Sequence, residues 1–167
     1  MNLYIRHCPD ARFIPYVDKA IRFYINFLVK KPRLISNIEI TVSFNKSIDV
    51  FGYTSIVGYN ATKKPRNFLI EVHPDIGGAE ILKTLAHECV HIKQYIFNET
   101  DEMLSHWKGQ EVNSDDINYF EHPWEIDAYG REVGVFTKFA TEEKLWDVFE
   151  GIRWPDILVT REIGWKQ

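Results

Sequence analysis

Cysteine is almost missing from this 167-residue chain: Cys8 and Cys89 are the only two. Two thiols cannot build a disulfide scaffold, so a fold must rest on a hydrophobic core, and a chain of this length can bury one. Seven prolines and nine glycines are too few for a low-complexity or collagen-like chain. Long apolar runs are also lacking. The longest is about five residues, against the roughly 20 that span a bilayer. The opening segment, Met1 to Asp10, has no basic region followed by an apolar stretch, so no export signal is visible and a reducing cytoplasm is the expected location. An excess of positive charge is the last absence. Twenty Lys and Arg stand against 24 Asp and Glu, a net charge of −4. With no clustered basic stretch either, independent binding to nucleic acid or to an anionic membrane is disfavoured. What is present is a globular composition, 45% hydrophobic and 26% charged, with a heavy aromatic load of 11 Phe, 8 Tyr and 5 Trp. Those rings read first as core and as anchors at element ends.

Hydrophobic periodicity organises the chain. From Pro15 to Val29, apolar residues fall at Val17, Ala20, Ile21, Tyr24, Ile25 and Leu28, the spacing of a helix closed by Pro32. Ile38, Ile40, Val42 and Phe44 alternate with polar residues and predict a strand. A second strand is expected over Val50 to Tyr59, rich in β-branched and aromatic residues and bent at Gly52 and Gly58. A third is expected at Phe68, Ile70 and Val72, and three strands in series suggest a meander. After the break at Asp75-Ile76-Gly77-Gly78, the strongest helix runs from Ala79 to Phe97, with Leu82, Leu85, Ala86, Cys89, Ile92 and Ile96 as its buried stripe. Residues 98–122 read as a long ordered loop. Pro123 opens another helix to about Ala140, with Ala128, Tyr129, Val133 and Phe136 on one face, followed by a short helix over 142–149 and an extended tail. The expectation is a single α+β domain, a three-stranded sheet with helices on one side.

The helix over 79–97 carries the chemistry. His87 and His91 stand four residues apart and so project from one face, one turn apart. Two imidazoles held in this way can grip one Zn²⁺ at about 2.0–2.1 Å. Glu88 can reach a metal-activated water without ligating the metal itself. This His-Glu-x-x-His pattern is that of zinc peptidases, in which the metal acidifies water and the glutamate takes its proton. Its bland alternative is a pair of polar histidines on the side of the helix opposite the apolar stripe.

A catalytic zinc needs a third protein ligand and an open position. Downstream candidates are Glu125, Asp127, His106 and His122. Glu125 falls in the first turn of the later helix, and small Ala128 three residues on would let two helices pack closely around a metal. His106 follows His91 by 15 residues. His122 reads more simply as a helix cap. Asp127 or Glu132 could orient a ligand histidine through its second nitrogen, and Tyr95, His122, Tyr129 or Arg131 could steady a developing oxyanion.

These segments resemble known families. Glu125 with Ala128 matches the Glu-x-x-Ser/Ala pattern from which gluzincin peptidases supply their glutamate. The His91–His106 spacing is similar to that of SprT-like (Spartan-type) peptidases, whose third ligand is a histidine. The segment that follows it in those proteins is replaced here by Trp107-Lys108-Gly109-Gln110. A metzincin would need glycine and histidine where Gln94 and Phe97 stand, and neither cysteine sits in the segment a peptide deformylase requires. His87-Glu88-x-x-His91-x-Lys93-Gln94-Tyr95, Trp107-Lys108-Gly109 and Pro123 to Glu132 together resemble small stand-alone metallopeptidases of tailed phages and bacteria, over about residues 66–135. In that group Trp-Lys-Gly is not a metal-binding segment, which favours Glu125 over His106. The resemblance implies a zincin-like fold and Zn²⁺ held by His87, His91 and Glu125. Glu88 would be the general base in hydrolysis of a peptide or related amide bond. It also implies a peptide or protein substrate, and host cytoplasm as the location if the gene is phage-borne. Two rival readings remain open: a non-catalytic zinc-stabilised module that binds a partner, and a Spartan-like DNA-associated protease. By the same resemblance, the strand over Asn67 to His73 would be a sheet edge that an extended substrate joins.

Overall fold

The computed structural model describes residues 1–113 and 117–146. Its elements run β1 (Asn2–Arg6), α1 (Ile14–Val29), α2 (Pro32–Ile35), β2 (Glu39–Phe44), β3 (Gly52–Tyr59), β4 (Pro65–Val72), α3 (Gly78–Ile96), β5 (His106–Trp107), β6 (Gln110–Glu111) and α4 (Pro123–Glu142). The fold is α+β. One face of β2 and β4 is buried at every second residue (Ile40, Val42 and Phe44; Phe68, Ile70 and Val72), and these residues join α1, α3 and α4 in one core.

Among the described residues the sheet has four strands, not three, and it is not a meander. Its order is β1-β2-β4-β3, with β1–β2 and β2–β4 parallel and only β3–β4 antiparallel. Parallel neighbours need a crossover, which α1 supplies between β1 and β2. Strand β1 escapes the periodicity because it is five residues long and offers only half-buried Leu3 and Ile5. The hairpin return after β3 places β4 between β2 and β3. The strand expected at the edge, Asn67 to His73, is therefore interior, and β3 is the edge. The composition of the two strands explains the exchange. Strand β4 buries Phe68, Ile70 and Val72, whereas β3 carries Gly52 and Gly58 and an irregular register between Ile56 and Tyr59.

Helices α1 and α3 form within one residue of their expected limits, and the whole predicted stripe of α3 is buried. The opposite side of α3 does not face water, because α4 and β3 lie against it, and His87 and Glu88 are buried as well. Helix α4 is rotated by about half a residue, some 50°, from the expected face. Ala128 and Phe136 are inside, but Tyr129 and Val133 are exposed, and the true stripe runs through Trp124, Glu125, Ala128, Val135, Phe136, Phe139 and Ala140. The segment expected as a loop contains the β5–β6 hairpin and a 3-10 turn at Tyr119–Glu121. Of the short helix expected over 142–149, Glu142 is the last residue of α4, residues 143–145 turn away from helix, and 147–149 lie, like the tail, outside the described residues. Among the described residues, no helix is long and apolar enough to cross a membrane.

Candidate metal centre

The site lies where α3 is sandwiched between edge strand β3 and the first turn of α4. His87 and His91 leave one face of α3 a turn apart, and Glu125 enters from the first turn of α4. A carboxylate at that end of a helix is favoured by the unpaired N–H groups and the helix dipole. Ala128, fully buried beneath it, admits the close approach of the two helices.

The three groups converge. His87 Nε2 lies 3.1 Å from His91 Nε2 and 3.3 Å from Glu125 Oε2, and His91 Nε2 lies 3.6 Å from Glu125 Oε1. Ligands about 2.0–2.1 Å from one tetrahedral ion stand about 3.3 Å apart, so these separations are those of three corners of such a site. The donor set also fits an ion chemically. Two imidazole nitrogens face one another, and buried Glu125 Oε2 accepts no well-directed hydrogen bond from any side chain. Among the described residues, His87, His91 and Glu125 form the one cluster of such groups able to hold a metal ion.

Both rings are held from behind. His87 Nδ1 lies 2.8 Å from Glu132 Oε2, and His91 Nδ1 lies 2.9 Å from Gln94 Oε1. Each contact presents the ε nitrogen to the cluster, the arrangement found around metal-bound histidine. Tyr129 closes over the outside of His87, with ring centroids 4.6 Å apart. In the metal-free site the charges answer one another. Burial opposes protonation of His87, but the neighbouring carboxylates of Glu125 and Glu132 outweigh it and raise its pKa to about 9. Burial pushes the Glu125 pKa up, yet the two histidines overcome it and hold the carboxyl at about 2.

Glu88 points the other way, towards β3. Its Oε2 accepts a hydrogen bond of 2.8 Å from Thr54 Oγ1. Burial raises its pKa, while the neighbouring histidines and the Thr54 hydrogen bond pull it back. The close approach of β3 requires a glycine: a Cβ at Gly52 would lie 2.7 Å from Thr84 Cγ2, 3.1 Å from the Glu71 carbonyl oxygen and 3.4 Å from Glu88 Oε1. A cavity of about 190 Å³ opens here. Gly52, Tyr53 and Thr54 form one wall, Leu104 and Tyr119 another, and Glu88, His91, Tyr95 and Glu125 the reactive side. The three-residue cluster is thus buried at its back and open to a cavity at its front.

The other sequence candidates lie elsewhere. His106 sits on the β5–β6 hairpin, with Nδ1 3.5 Å from Asp101 Oδ2, outside the cluster. Asp127 faces Arg131 Nε at 2.9 Å and Gln94 Nε2 at 3.3 Å, not a histidine. His122 occupies the N-cap position of α4 without a side-chain capping bond, and its ring stacks on Trp124. Of the residues considered for an oxyanion, only Tyr95 lines the cavity. Tyr119 is legible in the sequence as one of the aromatics gathered around the metal helices, whereas Thr54, Gly52 and Gln94 carry no signal there for these places. Of these three, only Gly52 left a trace in the pattern, as a bend in its strand. No protein-family model matches the chain, and comparisons with curated proteins and with solved structures give no significant match.

Proposed function

We propose that this protein is a zinc-dependent metallopeptidase of gluzincin type, hydrolysing a peptide or related amide bond. The observation that carries the reading is the tetrahedral spacing of His87, His91 and Glu125, with Glu88 beside it and a cavity in front. A neutral-imidazole and carboxylate donor set with one open side suits Zn²⁺. When bound, zinc supplies a Lewis acid that polarises a carbonyl and acidifies water.

The chain's own groups do the rest. Glu88 stands at the cavity wall, ready to take a proton from the attacking water and to return it to the leaving amine. Burial raises its pKa towards the working range of a general base, and Thr54 keeps its carboxylate aimed. Of the hydroxyls that line the cavity, those of Tyr53 and Thr54 are given to Glu71 and Glu88, which leaves Tyr95 and Tyr119 as the candidates to donate to an oxyanion. Edge strand β3 passes directly beside Glu88 and, among the described residues, has a strand partner on one side only. An extended peptide adding to that free edge would lay its backbone across the cavity.

Glu88→Gln tests the reading. The variant should bind one zinc per chain as the wild type does and lose hydrolysis of a peptide library by at least about 100-fold, the weight of a general base. Equal cleavage by the zinc-loaded variant and wild type would refute the mechanism.

A further inference from the structure

One buried side chain touches both halves of the metal cluster without being part of it. Gln94 is fully buried on α3, three residues after His91. One end of its amide lies 2.9 Å from His91 Nδ1. The other lies 2.9 Å from the carbonyl oxygen of Trp124 and 3.3 Å from Asp127 Oδ2. That carbonyl belongs to the peptide bond joining Trp124 to Glu125.

We infer that Gln94 is the positioning residue of the metal centre, fixing the tautomer of His91 and the placement of Glu125 through a single amide. The chemistry of the three contacts leaves one arrangement. Two acceptors face one end of the amide, so that end is the NH₂ group, and the carbonyl end faces His91. A carbonyl accepts only, so His91 Nδ1 carries the proton and donates it, and in the neutral ring that a metal binds the lone pair is left on Nε2, inside the cluster. Asp127 stiffens the arrangement. It is held by Arg131 at 2.9 Å, lies 3.8 Å from Lys93 Nζ and accepts from Gln94 at 3.3 Å. Lys93 is in turn clamped by both oxygens of Glu99 at 2.7 and 2.6 Å. The amide is therefore barred from turning over, because reversing it would set its oxygen against a carbonyl and a carboxylate.

The two ligand histidines are thus oriented differently. His87 leans on the carboxylate of Glu132, which touches no other ligand. His91 leans on a neutral amide that also grips the backbone beside the third ligand. A glutamate at position 94 could still accept from His91, but it could not donate to the Trp124 carbonyl and would meet Asp127 as a like charge. Only a primary amide serves both ends.

The inference rests on the proposed metal site, and the test separates the two. Zn²⁺ affinity is measured by competition with a chromogenic chelator, and the Co²⁺-substituted protein gives an absorption spectrum that reports ligand geometry. Urea unfolding of the metal-free proteins is the control for folding. Gln94→Leu should weaken Zn²⁺ binding about 10–100-fold, the usual effect of removing a partner of a metal ligand, and should change the Co²⁺ spectrum. Gln94→Glu, which keeps the contact to His91, should fall between Leu and wild type and serves if the leucine variant fails to fold. Combined with Glu125→Ala, either substitution should cost less than the sum of the single effects, because the tie to α4 then has no ligand to place. Unchanged Zn²⁺ affinity and Co²⁺ spectrum in folded Gln94→Leu or Gln94→Glu would overturn the positioning role while leaving the metal site intact. Failure of the wild-type protein to bind either ion would overturn the metal site, and this inference with it.

Discussion

Metal and protons compete for the same three side chains, and the competition has a sign and a size. In the metal-free protein His87 has a pKa of about 9: burial works against its charge, but Glu125 and Glu132 outweigh it. At pH 7 the ring is thus about two pH units below its pKa and neutral in about 1% of molecules. An incoming ion must displace that proton, which weakens apparent binding at pH 7 by about 100-fold, or about 3 kcal/mol, relative to pH well above 9. The pKa of His91 is raised as well: burial lowers it, and Glu125 and Glu88 more than restore it. Proton release from His87 alone should be close to one per ion at pH 7. Stability of the metal-free protein runs the opposite way with pH. A histidine whose pKa rises from 6.5 to about 9 on folding contributes stability that is complete below pH 6.5 and lost as pH climbs through 9, a loss of at most about 3 kcal/mol. Glu125, depressed to about 2, reports the same interaction from its acid side, complete above pH 4.5 and lost as pH falls through 2. Calorimetric titration of Zn²⁺ at pH 7 in buffers of different ionisation enthalpy gives the proton count. Thermal melting between pH 6 and 9 gives the second half: the metal-free midpoint should fall with pH while the stabilisation by Zn²⁺ grows. Binding that releases no proton, with an affinity flat from pH 6 to 9, would refute the charge balance assigned to the cluster.

Two substitutions test the walls of the site. Gly52→Ala forces a Cβ against Thr84 and the backbone oxygen of Glu71 and should destabilise the protein by about 1–3 kcal/mol in urea unfolding. Unaltered stability would mean that β3 does not approach α3 as closely as described. Glu132→Ala removes the carboxylate behind His87 and should lower Zn²⁺ affinity about 10–100-fold by chelator competition. An unchanged affinity would dismiss Glu132 as an orienting group.

The parts legible in the sequence are those that repeat with a period or stand at a fixed spacing. The stripes of α1 and α3 and the alternation of β2 and β4 are of the first kind, and His87, Glu88 and His91 are of the second. Glu125 could be chosen because a first-turn carboxylate followed by Ala128 satisfies both ligation and helix packing. Sheet order could not be read in the same way. Nothing local in β4 shows that it pairs with β2 across β3, and β1 is too short and too lightly buried to show a pattern. The polar support of the site is hidden for a related reason. Gln94, Thr54 and Glu132 act through contacts with residues up to 45 positions away, and an isolated polar residue on a helix or strand looks the same whether it faces water or a ligand. The small rotation of α4 shows how little separates two apolar faces when Tyr129 and Val133 lie beside Ala128 and Phe136.

The central claim is that His87, His91 and Glu125 hold one zinc ion with a fourth position open to the cavity. X-ray absorption at the zinc edge of the loaded protein, compared with the Glu125→Ala and His106→Ala variants, tests it most directly. The account predicts two imidazoles and light oxygen donors at about 2.0–2.1 Å, a shell altered by Glu125→Ala and untouched by His106→Ala. A shell that loses an imidazole in His106→Ala, or that is indifferent to Glu125→Ala, would contradict it.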